Sequence, residues 1–177
     1  MPVNFFNDTL HTHSSNEQFG LCDKPHPIRE PSYINEDRTE PWIGIVNNPN
    51  NHHVDFYGLD HALKIPIPEP NPDGKYLEKL CDGMMNHNNK LDFVELKEAQ
   101  GGGKWIGNAT KQILSAIRLY EENHNDIANY QEVNAYICNS LQPALNTNTM
   151  HPKQDFQNLS LTYGFKGELI VKQEIDI

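Results

Sequence analysis

The chain has 177 residues, 37% of them hydrophobic, and a formal net charge of −10, which is enough for one domain with one core. No run of about 18 apolar residues is present, so we expect no membrane-spanning helix. The acidic charge disfavours a protein that coats nucleic acid through a basic surface. It does not exclude an enzyme that holds nucleic acid in a local cleft with a divalent metal.

The cysteines and the first ten residues indicate the cellular compartment in which we expect the protein. Cys22, Cys81 and Cys138 are widely separated and odd in number, so they form neither a disulfide framework nor a CxxC metal motif. Residues 1–10 lack the basic segment and the long apolar segment of a secretory signal. We therefore expect a reduced, cytoplasmic location and no association with a membrane.

The first third of the chain is rich in Asn, Pro and His. Within residues 1–53 only residues 42–46 (WIGIV) are predicted to form a strand, and the rest is predicted to be an irregular N-terminal wrap. Residues 54–67 follow, and they carry Asp60 on a short strand or turn. The Pro-rich residues 68–74 are predicted to be a loop.

The central stretch has the pattern of an antiparallel hairpin. Residues 76–85 (YLEKLCDGMM) and residues 91–98 (LDFVELKE) are predicted strands, joined by a turn at residues 86–89. Residues 100–104 (QGGGK) form a flexible connection. A helix is predicted next, over residues 108–122, because its apolar residues follow i, i+3, i+4, i+7 spacing. This apolar stripe consists of Ala109, Ile113, Ala116, Ile117 and Tyr120.

The remaining residues are predicted to close one domain. Residues 131–138 (QEVNAYIC) have the pattern of a strand, and residues 139–157 that of a loop or broken helix. Two further segments, residues 159–163 and 168–175, suggest a closing hairpin. We therefore predict a single domain over residues 1–177. Its parts are a wrap (1–53), a core (54–140) and a C-terminal tail hairpin (141–177).

Three charged residues of the hairpin are candidates for chemistry. Side chains alternate faces along a strand, so Glu95 and Lys97 share a face with Leu91 and Phe93. The strand is apolar at its centre on both faces, as expected of a covered, central strand. Burying an unpaired carboxylate or ammonium costs several kcal/mol, so these two groups either pair or have a function.

The hairpin register brings a second carboxylate close. With a four-residue turn Asp82 lies opposite Glu95. With a three-residue turn it lies opposite Val94 and remains diagonal to Glu95. Two neighbouring carboxylates repel each other, and a divalent cation is the natural means of keeping both ionised. Their oxygen atoms suit Mg²⁺ or Mn²⁺. Lys97 is then placed to orient or deprotonate a water molecule, or to stabilise the charge of a phosphorane-like state.

These residues resemble the motif of the PD-(D/E)XK nuclease superfamily. The matching residues are Asp82 in CDGMM and Glu95 and Lys97 in FVELKE, with Glu95 13 positions after Asp82, followed by a helix that carries Gln112. Cys81 stands where the family's motif has Pro. The resemblance covers about residues 54–122. It implies an α/β, restriction-endonuclease-like fold, with a mixed central sheet flanked by helices.

The resemblance also implies a Mg²⁺- or Mn²⁺-dependent nuclease that hydrolyses phosphodiester bonds. Asp82 and Glu95 would hold the metal, with Asp60, or after it Glu78, as a further ligand. Lys97 would position the attacking water, and Gln112 would orient Lys97 or the phosphate. The expected partner is nucleic acid, DNA rather than RNA, and a homodimer is compatible with cutting both strands.

Other functions remain open at this stage. The chain is alternatively a catalytically silent, nuclease-like binding protein of phage defence or of a mobile element, which its net charge and its lack of a DNA-binding module favour. It is alternatively a structural protein with a fortuitous ExK motif.

Each site residue also has a plain structural interpretation. Glu95 and Lys97 are alternatively an ion pair on an edge strand, and Asp82 part of a turn. Gln112 is alternatively a hydrogen-bonded core amide, and Asp60 a helix N-cap. The histidines at 11, 13, 52 and 53 lack the spacing of a zinc site. Gly101 to Lys104 lack that of a phosphate loop.

Overall fold

The protein forms two β-sheets and two α-helices over the residues that the computed structural model describes, 3–24, 28–71, 73–142 and 149–177. The larger sheet has six strands and is mixed, as predicted. The order of its strands is β1 (His11–Ser14), β5 (Val54–Gly58), β6 (Gly83–His87), β7 (Lys90–Lys97), β8 (Glu132–Asn139) and β9 (Leu169–Val171). Strand β7 is therefore central, with antiparallel β6 on one side and parallel β8 on the other.

The helices cover one face of the larger sheet. Helix α1 (Lys104–His124) buries the apolar stripe that its sequence predicts. It extends four residues beyond the predicted start at Asn108, and Asn125 ends it in the left-handed conformation (φ 53°). Helix α2 (Met150–Tyr163) inserts Phe156 into the same core.

A second sheet covers the other face. Its four strands are, in order, β10 (Glu174–Asp176), β4 (Gly44–Asn47), β2 (Gln18–Cys22) and β3 (Tyr33–Asn35). Phe19 and Leu21 of this sheet pack with Phe56, Val94 and Leu96 of the larger one. The prediction of a sheet flanked by helices is thus corrected for this face. Alternating apolar residues do not distinguish a covering helix from a covering sheet.

The hairpin is shorter than predicted at one end. Strand β6 begins at Gly83 rather than at Tyr76, and residues 76–82 are irregular apart from a bridge at Leu77. The turn consists of Asn88 and Asn89 alone, with φ values of 45° and 59°. This left-handed pair is typical of a two-residue hairpin turn.

Both ends of the chain are more regular than predicted. The residues assigned to an irregular wrap contain β1, which is the edge strand of the larger sheet, and also β2 and β3. The strand predicted at residues 42–46 is confirmed as β4. The predicted tail hairpin is wrong, because residues 159–163 belong to helix α2. The second predicted segment contains β9, which pairs with β8, and most of β10, which pairs with β4 of the other sheet. Part of the loop predicted at 139–157, residues 143–148, lies outside the described residues.

None of the helices in the described ranges combines the length and the apolar character needed to cross a membrane.

Candidate active site

Asp82 lies at the end of the hairpin that the sequence analysis singled out. The last ladder pair of β6 and β7 is Gly83 with Val94, so the next position along brings Asp82 opposite Glu95. The carboxylate of Asp82 accepts a hydrogen bond from the backbone N–H of Leu96 at 2.6 Å. Asp82 is therefore opposite Glu95, the first of the two predicted registers, although the turn has two residues rather than four. The side chain of Asp82 is anchored to the strand that carries the ExK motif.

The backbone of Asp82 is held from two further directions. Its carbonyl oxygen accepts hydrogen bonds from the backbone N–H of Leu59 at 2.8 Å and from the hydroxyl of Ser32 at 2.6 Å. A Cβ atom on Gly58 would lie 2.5 Å from the carbonyl oxygen of Ser32, so the close approach of these segments requires glycine there. The position of Asp82 thus depends on β5 and on the segment before β3 as well as on the hairpin.

Glu95, Lys97 and Gln112 form a connected set beside Asp82. Glu95 is fully buried, whereas the side chain of Lys97 is 25% exposed. The ammonium group of Lys97 donates to Glu95 Oε1 and lies 3.5 Å from Gln112 Oε1. Gln112 Nε2 donates to the carbonyl of Leu80 at 3.0 Å. Because β7 lies between β6 and β8, the ion pair of Glu95 and Lys97 is on a central strand and not on an edge strand.

One oxygen atom of this set lacks a partner. Glu95 Oε2 is buried and has no hydrogen-bond donor among the described residues. A buried carboxylate oxygen without a donor is costly. A bound cation or a water molecule at Glu95 Oε2 would supply the missing partner.

Burial raises the pKa values of both acids, and neighbouring carboxylates add to it. Burial raises the pKa of Asp82 to about 7, and Lys97 only partly opposes this effect. Burial, with Asp82 adding to it, raises the pKa of Glu95 well above its ordinary value. Burial also disfavours the charged form of Lys97, but Glu95 and Asp82 outweigh it and raise its pKa. Lys97 is therefore a cation, and the two acids cannot both ionise cheaply without further positive charge.

The protonated state of Lys97 limits the roles that this residue can have toward a water molecule. An ammonium group donates hydrogen bonds but has no lone pair with which to accept a proton. Of the two roles predicted for Lys97, the structure therefore favours positioning a water molecule over deprotonating it.

Asp60 lies in the turn after β5 and lines a groove beside the site. Its carboxylate lies 3.2 Å from the imidazole of His61, and it contributes to the raised pKa values of Asp82 and Glu95. The same groove reaches Gln112 of helix α1. Asp60 thus belongs to the neighbourhood of the site, where its nearest partner is a histidine.

Asp23 was missed by the sequence analysis. It directly follows β2 of the smaller sheet, lines the groove together with Asp60 and helps to raise the pKa of Asp82. Burial raises its own pKa, whereas His61 opposes that rise. Its only local signal is an acid after the apolar run FGLC, and nothing in the sequence places that strand next to the hairpin.

The donor atoms present fit some metals better than others. In the described part of the chain, no three His, Cys, Asp or Glu side chains converge closely enough to hold an ion. Zinc and calcium sites usually need such a set. Mg²⁺ is commonly bound by one or two carboxylates, with water and substrate phosphate completing its shell. The two carboxylates of Asp82 and Glu95 therefore match the number and kind of protein ligands that Mg²⁺ or the similar Mn²⁺ takes.

Comparisons with protein-family models, with curated proteins and with solved structures found no match.

Proposed function

We propose that this protein is a divalent-metal-dependent hydrolase of phosphodiester bonds in nucleic acid. The observation that carries the proposal is the convergence of Asp82, Glu95, Lys97 and Gln112 at the end of the central strand. Two buried acids with raised pKa values, a paired lysine and an orienting amide are the groups that this chemistry needs. The resemblance to the PD-(D/E)XK motif rests on the same residues.

Each side chain has a defined task in this proposal. Asp82 and Glu95 hold Mg²⁺ or Mn²⁺, which supplies Lewis-acid chemistry and charge neutralisation at the phosphate when bound. Lys97 positions the attacking water and offsets charge on the phosphate, and Gln112 positions Lys97. The water attacks phosphorus in line as the bond to the leaving oxygen breaks. One proton of the water passes to solvent, and the leaving oxygen takes one from solvent.

The charge of the surface around the site supports an anionic substrate. The groove that contains Asp60 is also lined by five basic side chains, and we call it the basic groove. These side chains are Lys24, Arg29, Lys64, Lys75 and Lys79. An adjoining groove adds Lys97 and Lys111, so half of the 14 Lys and Arg residues of an acidic chain surround the site. Four acids, Asp23, Asp60, Asp73 and Glu78, line the same groove, and two of them are paired, Asp73 with Lys79 and Glu78 with Arg118. Cations are thus in slight excess at this groove of an acidic chain, which favours a phosphate backbone here despite the net charge.

The silent, nuclease-like binding protein is the second candidate function. It is favoured by the ion pair of Lys97 with the buried Glu95, which gives that acid a counter-charge without any metal. In such a protein the basic groove binds nucleic acid and the acids are not used.

Lysine variants at the two ends of β7 separate these functions. Lys97 and Lys90 each pair with a glutamate on or beside this strand, so Lys90→Met is a matched control for Lys97→Met. With Mg²⁺ or Mn²⁺ we expect cleavage of single-stranded circular DNA or of supercoiled plasmid. Lys97→Met should lower the rate at least about 100-fold, and Lys90→Met should leave it unchanged.

Two outcomes would count against hydrolysis. If DNA binds but is not cleaved with either metal, the binding protein is the better description. If both lysine variants lose cleavage equally while remaining folded by circular dichroism, the proposed site is wrong.

A further inference from the structure

The acids of the candidate site are recessed below the surface. Glu95 is fully buried and Asp82 is 8% exposed. The basic groove next to them has a volume of about 590 Å³, which is the size of a pocket for a drug-sized molecule. Gln112 of the site lines this groove, so a strand held there lies beside the site, and the groove has room for at most a few nucleotides.

Two loops form the walls of the basic groove. Lys24, Ile28 and Arg29 belong to the connection between β2 and β3, and Lys75 and Leu77 belong to the connection between β5 and β6. A DNA duplex carries its phosphates on a rod that is stiff over about 150 base pairs. A single strand bends freely, so it can carry one phosphate between such walls.

Three of the cations in the basic groove are available for phosphates. Lys24 pairs with Glu30 at 2.5 Å, and Lys79 pairs with Asp73. Arg29, Lys64 and Lys75 have no ion pair with any acid in the described ranges.

Exposed apolar side chains accompany these cations. Of the six large hydrophobic residues that are exposed in the described part of the chain, three lie at this groove or beside it. Ile28 is 51% exposed, Leu77 is 37% exposed, and both line the groove. Tyr76, between Lys75 and Leu77, is 58% exposed. Apolar and aromatic side chains next to cations suit unpaired bases, whose faces are open for stacking.

We propose that the basic groove binds single-stranded DNA, with Arg29, Lys64 and Lys75 on the phosphates and Ile28, Tyr76 and Leu77 against the bases. The substrate of the site is then an unpaired strand, flap or end rather than intact duplex. This substrate class rests on the proposed function, although binding of the strand can be measured without cleavage.

Binding is measured first, by fluorescence anisotropy of a labelled oligonucleotide and of its duplex, with chelator present so that nothing is cleaved. We expect the single strand to bind at least about tenfold more tightly than the duplex. The variants Ile28→Ala and Tyr76→Ala should each weaken single-strand binding about fivefold to tenfold and barely change duplex binding. Leu161→Ala is the matched control, because this residue is 77% exposed on α2.

The cations should act differently from the apolar residues. Lys64→Ala and Lys75→Ala should weaken binding of both nucleic acids and reduce the dependence of log affinity on log salt by about one each. Lys153→Ala on α2 should do neither. Duplex that binds as tightly as single strand, or apolar variants that behave like Leu161→Ala, would overturn the inference.

Cleavage with Mg²⁺ then separates this inference from the proposed function. Faster cleavage of the single strand than of the duplex supports both. Preferential cleavage of duplex overturns the substrate class and leaves the hydrolase proposal standing. Tight single-strand binding with no cleavage in Mg²⁺ or Mn²⁺ supports the single-strand groove and overturns the hydrolase proposal.

Discussion

The two ends of strand β7 each bury a carboxylate beside a lysine or a histidine and an amide, yet they differ in how well the acid is satisfied. The carboxyl-end triad consists of Glu95, Lys97 and Gln112, and the amino-end triad consists of Asp92, His87 and Asn134. The two triads also face opposite sides of the sheet, because positions 92 and 95 differ in parity. The carboxyl-end triad faces the helices, and the amino-end triad faces the second sheet.

The amino-end triad satisfies its acid completely. Asp92 Oδ2 lies 2.7 Å from His87 Nε2, and Asp92 Oδ1 accepts from Asn134 Nδ2 at 3.0 Å. Asn134 in turn accepts from the backbone N–H of Glu168 at 3.1 Å. Only the other ring nitrogen of His87 lacks a partner here. This arrangement serves to join β7, β8 and the segment before β9.

The carboxyl-end triad leaves its acid incomplete. Glu95 has one oxygen without a donor and a second acid, Asp82, beside it. Asp92 and Glu95 are both buried on one strand, but their burial has different consequences. A fully bonded acid stabilises the fold, whereas a crowded and partly bonded acid is the arrangement expected where function outweighs stability.

The largest expected effect comes from replacing the acid of each triad in a separate variant. Glu95→Gln should reduce cleavage at least about 100-fold and change the free energy of unfolding by less than about 1 kcal/mol, because it removes repulsion as well as a charge partner. Asp92→Ala should leave the donors of His87 and Asn134 unpaired and cost about 3 kcal/mol. It should not affect the rate constant of the remaining folded protein.

Urea denaturation and cleavage rates of the two variants check this contrast. If Glu95→Gln proves as destabilising as Asp92→Ala and still cleaves, the carboxyl-end triad is structural after all.

A second test uses pH, because the carboxyl end holds acids with raised pKa values. The pKa of Asp82 is about 7 in the folded protein and near 3.8 when unfolded, so the folded state binds the extra proton between these values. The stability due to the protonated acid is complete below about pH 4 and is lost as the pH rises to about 7. Without metal, the free energy of unfolding should fall by about 2 kcal/mol between about pH 5 and pH 8.

Mg²⁺ competes with that proton and should therefore stabilise the protein more at the higher pH. Denaturation curves with and without Mg²⁺ measure both effects. Asp82→Asn is the control, and its stability should depend less steeply on pH. A wild-type stability that is flat or rises over this interval would show that Asp82 is ionised and satisfied without metal.

The carboxyl-end triad was predictable because its geometry is local. Strand alternation places Glu95 and Lys97 on one face, and a hairpin register places Asp82 opposite Glu95. Helical spacing brings Gln112 to the sheet side of α1.

What could not be predicted depends on contacts distant in the chain. Asp23 reaches the site only because β2 belongs to the second sheet that packs on β7. The pairing of β10 with β4 joins residues about 130 positions apart, and no local pattern specifies it. Residues 76–82 alternate like a strand, but they lie beside the Pro-rich loop and form only one bridge.

The smallest effect that we predict concerns the two amides. Gln112 lies 3.5 Å from the ammonium group of Lys97, a distance at the limit of a hydrogen bond. Gln112→Ala should therefore lower kcat about tenfold by freeing Lys97 and leave KM nearly unchanged. Asn134→Ala, the matched change at the amino end, should cost about 1 to 2 kcal/mol of stability and leave kcat unaltered.

Steady-state kinetics with a single-stranded oligonucleotide, alongside urea denaturation, distinguish these two roles. Gln112→Glu serves as the rescue variant, because a carboxylate retains the acceptor for Lys97 and should restore part of kcat. If Gln112→Ala changes only stability and Gln112→Glu rescues nothing, Gln112 is a core amide bonded to Leu80 and the two ends of β7 are alike in their amides.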